Sequence, residues 1–246
     1  MRPLASWPYP KMIAHRGAGK LAPENTLAAM RLGFDFGYRM AEYDVKLTAD
    51  RIAILLHDAE LNRTSNGQGL AGNLSFSELA QLDAGSWHSP QYAGEPIPTL
   101  ESIARYTQAN GISSNIEIKP TPGVESQTGQ IIATQALDLW QGAATPPLLT
   151  SFSIESLESA QAYAPKLPRG FLTKLLPDDW LAILTRLDCV SIHLHHEAVT
   201  RSILDEIRSE GFRVAAWTVN DVDRANTLLE WGIDAVITDI VDQIKP

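Results

Sequence analysis

Cysteine is almost absent from this chain: of 246 residues, only Cys189 carries a thiol. No internal disulfide can form, so nothing demands an oxidising compartment. Cys189 opens the apolar run Cys189-Val190-Ser191-Ile192, the setting of a buried structural thiol rather than a nucleophile. Long hydrophobic runs are missing as well. No segment approaches the roughly 20 apolar residues of a membrane span, and residues 1–11 hold no signal-type apolar stretch of about 7–15 residues. A cytoplasmic location without membrane insertion is the expectation. Positive charge is in short supply, with 20 Lys and Arg against 29 Asp and Glu and a net charge of −9. Without a basic stripe, nucleic acid is not an expected partner, and an anionic membrane surface is disfavoured.

What is present is alternation. Apolar content of 44% is that of a globular chain long enough to bury a core. Short apolar runs read as strands at Met12–His15, Met40–Val45, Ile52–His57, Ser114–Lys119, Leu148–Phe152, Gly170–Thr173, Val190–His195, Val214–Val219 and Ala235–Thr238. Helical patterns fall between most of them, at Glu24–Phe36, Leu100–Ala109, Val124–Trp140, Ile154–Ala164, Trp180–Leu187, Ala198–Glu210 and Val222–Trp231. Gly37, Gly111, Gly211 and Gly232 each follow a helical pattern, where a left-handed C′ residue is wanted. Ser153 and Asp221 stand at N-cap positions. Repeated β-then-α units predict an α/β fold of the TIM (β/α)8 type.

The barrel is predicted to be somewhat irregular. Nine strand candidates exceed the eight of a regular ring, and no helix fits in the link from Lys46 to Arg51. From Glu60 to Pro98 the pattern dissolves into Asn, Ser, Gly and Pro with scattered aromatics, too long for an ordinary connection. This segment reads as a small cap (residues 60–98) inserted after the strand that ends at His57, within one catalytic domain spanning residues 1–246.

Reactive groups of such barrels lie at the C-terminal ends of strands. His15, Asp44, His57 and Glu117 are each at or near the end of one of the first four candidates. Glu42 and Asp44, two apart on a strand, share a face. Two carboxylates in an apolar core are costly without a cation, and Glu117 adds a third. The alternative is a half-exposed edge strand. An all-oxygen set suits one divalent ion, Mg²⁺ or Ca²⁺, rather than zinc. His15 and His57 flank that site as a pair able to take and return a proton near neutral pH. Arg16 and Lys119 are candidate phosphate contacts. Arg16 needs Gly17 to turn the backbone toward the site, and Lys119 is equally suited to an interior salt bridge. Phe152 and Trp217 are either core residues or an apolar wall for a small ligand. Glu24 and Asn25 read as a helix start. His193 and His195 share a face but have no acidic partner nearby in sequence, and His88 carries no signal of its own.

These residues carry a resemblance. His15-Arg16-Gly17, Pro23-Glu24-Asn25-Thr26, Glu42-x-Asp44, His57-Asp58 and Glu117-x-Lys119 resemble the glycerophosphodiester phosphodiesterases in type, order and spacing. The likeness continues through Arg63-Thr64, Asp83-Ala84-Gly85-Ser86-Trp87, Pro96-x-Pro98-Thr99-Leu100, Ser151-Phe152, Trp217-Thr218-Val219-Asn220 and Thr238-Asp239. It is greatest to the cytosolic bacterial members. The resemblance implies metal-dependent hydrolysis of deacylated phospholipid head groups, small-molecule diesters, to glycerol 3-phosphate and an alcohol. It implies His15 and His57 as acid and base, and Glu42, Asp44 and Glu117 as metal ligands. Arg16 and Lys119 would hold phosphate. The alternatives are a lysophospholipid-directed phospholipase D-like activity, a glycosidase using Glu42 and Glu117, or a non-catalytic metal- or phosphate-binding barrel. The sequence leaves the native ion and the oligomeric state open.

Overall fold

A computed structural model describes residues 3–246. In chain order the elements are β1 (Met12–His15), α1 (Leu27–Asp35), β2 (Met40–Leu47), β3 (Ala53–Leu55), α2 (Phe76–Leu79), α3 (Leu100–Ala109), β4 (Ser113–Ile118), α4 (Glu125–Leu139) and β5 (Leu148–Ser151). Then follow α5 (Ile154–Tyr163), β6 (Arg169–Thr173), α6 (Trp180–Arg186), β7 (Ser191–His195), α7 (Arg201–Ser209), β8 (Arg213–Trp217), α8 (Val222–Glu230) and β9 (Ala235–Thr238). Eight strands form a parallel ring in the order β1-β9-β8-β7-β6-β5-β4-β2, and pairing of β1 with β2 closes it. The chain is a TIM barrel.

The ninth strand explains the surplus. β3 is antiparallel to β2, with Val45 opposite Leu55 and Leu47 opposite Ala53, and lies outside the ring. The sequence left open whether the run that ends at His57 is one more strand of an irregular ring. It is not: β2 runs past the ring and the chain doubles back through β3, returning His57 to the level of Asp44, where the Leu56 N–H donates to the Asp44 carbonyl at 3.1 Å. The hairpin turn leaves no room for a crossover helix, so the pair is antiparallel.

Strand alternation decides which side chains enter the barrel. Along β2, Ala41, Tyr43, Val45 and Leu47 pack outward into the helical layer, while Met40, Glu42, Asp44 and Lys46 form the opposite, inward row. The floor of the barrel is apolar, built from Ile13, Met40, Leu148, Ala215, Ala235 and Ile237 and backed by Trp7 and Tyr9. The ordinary helix signals hold. Ser153 and Asp221 accept from Ser156 and Arg224 backbone N–H groups, and Gly37, Gly111, Gly211 and Gly232 all have positive φ.

One helix begins later than the sequence suggested. α1 starts at Leu27, capped by the Thr26 hydroxyl, and Asn25 has a left-handed φ of 60°. Pro23 to Asn25 therefore form a loop across the barrel mouth rather than a first helical turn. The segment after β3 carries its own small core of Ile54, Leu56, Leu61, Ala71, Leu79, Ala84 and Ile97. It is pinned back to the hairpin where the Leu55 N–H donates to the Pro98 carbonyl.

Candidate active site

His15, Arg16, Glu42, His57, Glu117, Lys119, Phe152 and Trp217 all line one cavity of about 250 Å³ at the C-terminal mouth of the barrel. Every site residue expected from sequence is there except Asp44, which lies just behind its wall and is 1% exposed. Glu42, Asp44 and Glu117 each aim a carboxylate oxygen to within 4.8 Å of the other two. They meet because β2 and β4 are in register, with Asp44 directly opposite Glu117.

This cluster is not self-sufficient electrostatically. Burial raises the Glu42 carboxyl, and the charges of Asp44 and Glu117 push it the same way. Glu117 is raised by burial and by Asp44. Asp44 goes down: burial alone would raise it, but the cations Arg16 and Lys119, His57 and the Asn25 amide outweigh that cost. Glu42 Oε1 is buried with no hydrogen-bond partner. An orphaned oxygen and three converging carboxylates fit a hard divalent cation, which takes oxygen ligands and offsets their repulsion.

Each histidine is held by an aspartate. His15 Nδ1 donates to Asp239 Oδ1 at 2.6 Å, and His57 Nδ1 donates to Asp58 Oδ1 at 2.6 Å. A proton fixed on Nδ1 leaves Nε2 of each ring free for exchange. His15 Nε2 lies 3.7 Å from Glu42 Oε2. Burial opposes a charge on His15, but the Asp239 bond and the Glu42 charge prevail and raise its pKa. His57 is lowered, because burial together with Arg16 and Lys119 outweighs the pull of Asp44 and Asp58.

The cations are anchored to the carboxylates. Arg16, itself at φ 51°, turns back to place Nε 3.3 Å from Asp44 and donates from Nη1 to Glu24 at 2.7 Å. Lys119 donates to Glu117 at 2.7 Å and lies 3.4 Å from Asp44. The interior ion pair expected as the alternative for Lys119 is present, and the same residue lines the cavity. Phe152 is 42% exposed and packs edge-on to Trp217 at 5.3 Å; both line the cavity, and Trp217 also packs against the apolar floor.

Several contributors escaped the reading of the residues. Asn25 is 3% exposed, donates to the Asp44 carboxylate at 2.8 Å and accepts from the Asp44 N–H at 3.0 Å. Glu24 bridges Arg16 and Arg63, and Arg63 also donates to Asp58 at 2.7 Å. Both were read as a helix start. They instead tie the loop after β1 to the groups around the cluster. Asp239 was given no role because its partner is distant in the chain. Lys46 sits on the inward face of β2 beyond Asp44, and burial lowers its pKa to about 8 despite the nearby carboxylates. The Glu-x-Asp-x-Lys alternation carried that signal unread.

Known proteins match this chain over nearly its whole length. Residues 15–243 match the Glycerophosphoryl diester phosphodiesterase family. The chain is 33% identical over 242 residues to YhdW of Bacillus subtilis (strain 168), covering 95% of this chain and 96% of that one. It is 30% identical to a glycerophosphodiester phosphodiesterase of Caldanaerobacter subterraneus subsp. tengcongensis, covering 93% of each. Among solved structures it superposes on an Oleispira antarctica phosphodiesterase in complex with its product sn-glycerol-3-phosphate. The TM-score is 0.88 at 36% identity, covering 94% of this chain and 93% of that one. With its barrel, its paired histidines and its carboxylate cluster, the chain belongs to the glycerophosphoryl diester phosphodiesterase family.

Proposed function

We propose that this protein hydrolyses glycerophosphodiesters, the deacylated head groups of phospholipids, to glycerol 3-phosphate and an alcohol. The observation that carries the reading is the convergence of two aspartate-held imidazoles, two cations and three carboxylates on one cavity. Family membership and the product held by the Oleispira antarctica relative support it.

Cleavage forms one P–O bond and breaks another. A proton must leave the attacking oxygen, and one must reach the departing alkoxide. His15 and His57, with Nδ1 engaged by Asp239 and Asp58, offer Nε2 for these two transfers. Arg16 and Lys119 hold the phosphate oxygens and oppose the charge that gathers there. Glu42, Asp44 and Glu117 would hold one Mg²⁺ or Ca²⁺. When bound, such an ion supplies Lewis-acid polarisation of the phosphate. Phe152 and Trp217 offer an apolar wall to the carbon skeleton of the glycerol arm. Residues 60–98 act as a cap that braces His57 through Arg63 and Asp58. The single thiol is consistent with residence in the cytoplasm, and among the described residues no helix is long and apolar enough to cross a membrane.

The test is release of glycerol 3-phosphate from glycerophosphocholine with a divalent ion supplied. Folded protein that releases none refutes the assignment.

A further inference from the structure

Two cavities, not one, meet at His15 and Arg16. The first is the catalytic cavity, and the second, of about 410 Å³, opens on the other side of His15 between the loop after β1 and the inserted segment. Its walls include Lys20, Glu24, Trp87, His88 and Asp239. A phosphodiester carries two arms that diverge from one phosphorus. Two cavities diverging from the residues that would hold the phosphate match that shape.

We propose that the second cavity receives the departing alcohol, and that it favours an alkylammonium alcohol stacked on the Trp87 indole. The proposal rests on the hydrolytic reading above.

The charge distribution separates the two arms. On the catalytic side the rim cations are Lys119 and Lys174. Lys119 already sits 5.5 Å from the Phe152 ring centroid, so that aromatic face has its cation. An ammonium group there would meet like charge, whereas a neutral polyol would not. On the other side Trp87 is 39% exposed, and among the described residues no Lys or Arg lies over its ring. Its Nε1 donates to the Ala84 carbonyl at 2.8 Å, and its ring meets His88 edge-on at 5.7 Å, so the indole is fixed in place. His88 Nε2 in turn donates to the Lys20 carbonyl at 3.0 Å, joining the insertion to the loop after β1. Glu24 and Asp239 bring carboxylates to the same cavity, though each is shared with a cation or imidazole of the site. An indole face with nearby carboxylates is the usual receptor for a quaternary or primary ammonium. Arg16, the other cation of this cavity, is paired with Glu24 and Asp44, whereas Lys20 is exposed and in no ion pair among the described residues, and so is the unpaired opposing charge.

The experiment compares kcat/KM for glycerophosphocholine and glycerophosphoglycerol, both assayed by glycerol 3-phosphate release with a divalent ion present. In Trp87→Ala the value for glycerophosphocholine falls by roughly 2- to 30-fold, the span of a cation–π contact from exposed to desolvated settings. That loss is mainly in KM, glycerophosphoglycerol changes far less, and Trp87→Phe recovers part of it. Lys20→Glu, at an exposed position that does not threaten the fold, raises the choline-to-glycerol ratio by about 2- to 5-fold at low salt, and the gain fades as salt screens it. Equal losses on both substrates in Trp87→Ala together with an unmoved ratio in Lys20→Glu overturn the subsite alone. No release from either diester by the wild-type protein overturns the reaction and the subsite with it.

Discussion

His15 Nδ1 and the Asp239 carboxylate meet at 2.6 Å although they stand 224 positions apart in the chain. Ring closure joins them: β1 pairs with β9 in parallel, with Ala14 opposite Thr238, so the residues that follow those partners emerge side by side. Gly19 makes the approach tolerable, since a Cβ there would lie 2.1 Å from Asp239 backbone atoms. Asn220 donates to the other Asp239 oxygen at 2.7 Å and fixes the carboxylate. Asp239→Ala is expected to lose both the tautomer and the orientation of His15. Turnover should drop by roughly 10- to 10²-fold, the usual cost of removing the group that orients a functional imidazole, with an unchanged far-ultraviolet circular dichroism spectrum. Steady-state kinetics at saturating substrate, with KM determined separately, checks this. Near-wild-type kcat would remove Asp239 from the mechanism.

Arg63 links Glu24 and Asp58, and through them Arg16 and His57. Arg63→Ala should slow turnover several-fold without unfolding the protein. Arg63→Lys should recover little, because one ammonium cannot span two carboxylates as the planar guanidinium does. Full recovery by lysine would show that charge alone matters at this position.

The carboxylate cluster makes the ion-free protein sensitive to pH. The Glu42 carboxyl, raised to about 8 by burial and by its acidic neighbours, holds its proton in the folded state well above the unfolded value of 4.5. Its stabilising contribution is therefore complete below about pH 4.5 and is lost as pH rises through about 8. Addition of Mg²⁺ or Ca²⁺ should raise Tm, by more at pH 8 than at pH 6, because protons compete with the ion for these ligands. Glu42→Gln should abolish most of that shift. A Tm indifferent to both ions across this range would argue against the cluster as a metal site.

His193 sits inside the barrel with no exposed surface, 3.1 Å from the Ser191 hydroxyl, and burial lowers its pKa to about 3. The sign is opposite to that of Glu42. An unfolded histidine titrates near 6.5, so the unfolded chain takes up this proton first as pH falls. Stability is full above about 6.5 and declines toward about 3, by at most about 1.4 kcal/mol per pH unit from this group. Urea midpoints at pH 7.5, 6 and 5 should fall more steeply for the wild type than for His193→Gln, so that the wild type loses stability relative to the variant whichever starts higher. Parallel lines would mean that His193 does not titrate between the two states.

Cys189 is 5% exposed, and burial pushes its thiol up to about 12. An aromatic disulfide reagent at pH 8 should leave the native protein untouched and label one thiol after denaturation. Rapid native labelling would contradict the buried position.

Much of this was legible in the residues because strand alternation is a local code. Glu42-x-Asp44 on a buried strand announces two carboxylates on one face, and Glu117 near the end of β4, with Lys119 just beyond it, follows the same rule. The direction of β3 was not legible. A three-residue apolar run has no polarity of its own, and only its register on β2, with Leu55 opposite Val45 and Ala53 opposite Leu47, shows it folding back. Asn25 was misread because Pro23-Glu24 resembles a first helical turn, whereas its left-handed backbone and its two bonds to Asp44 are tertiary facts. Asp239 was silent for the same reason, since its meaning depends on closure of the ring.

The most direct test of the central claim is glycerol 3-phosphate release from glycerophosphocholine, run with Mg²⁺, with Ca²⁺ and with excess EDTA, beside His15→Ala and His57→Ala. The account expects release with at least one ion and none with EDTA. It expects a loss of roughly 10²–10⁴-fold in each histidine variant. Undiminished release in EDTA, or near-wild-type turnover in either variant, would contradict it.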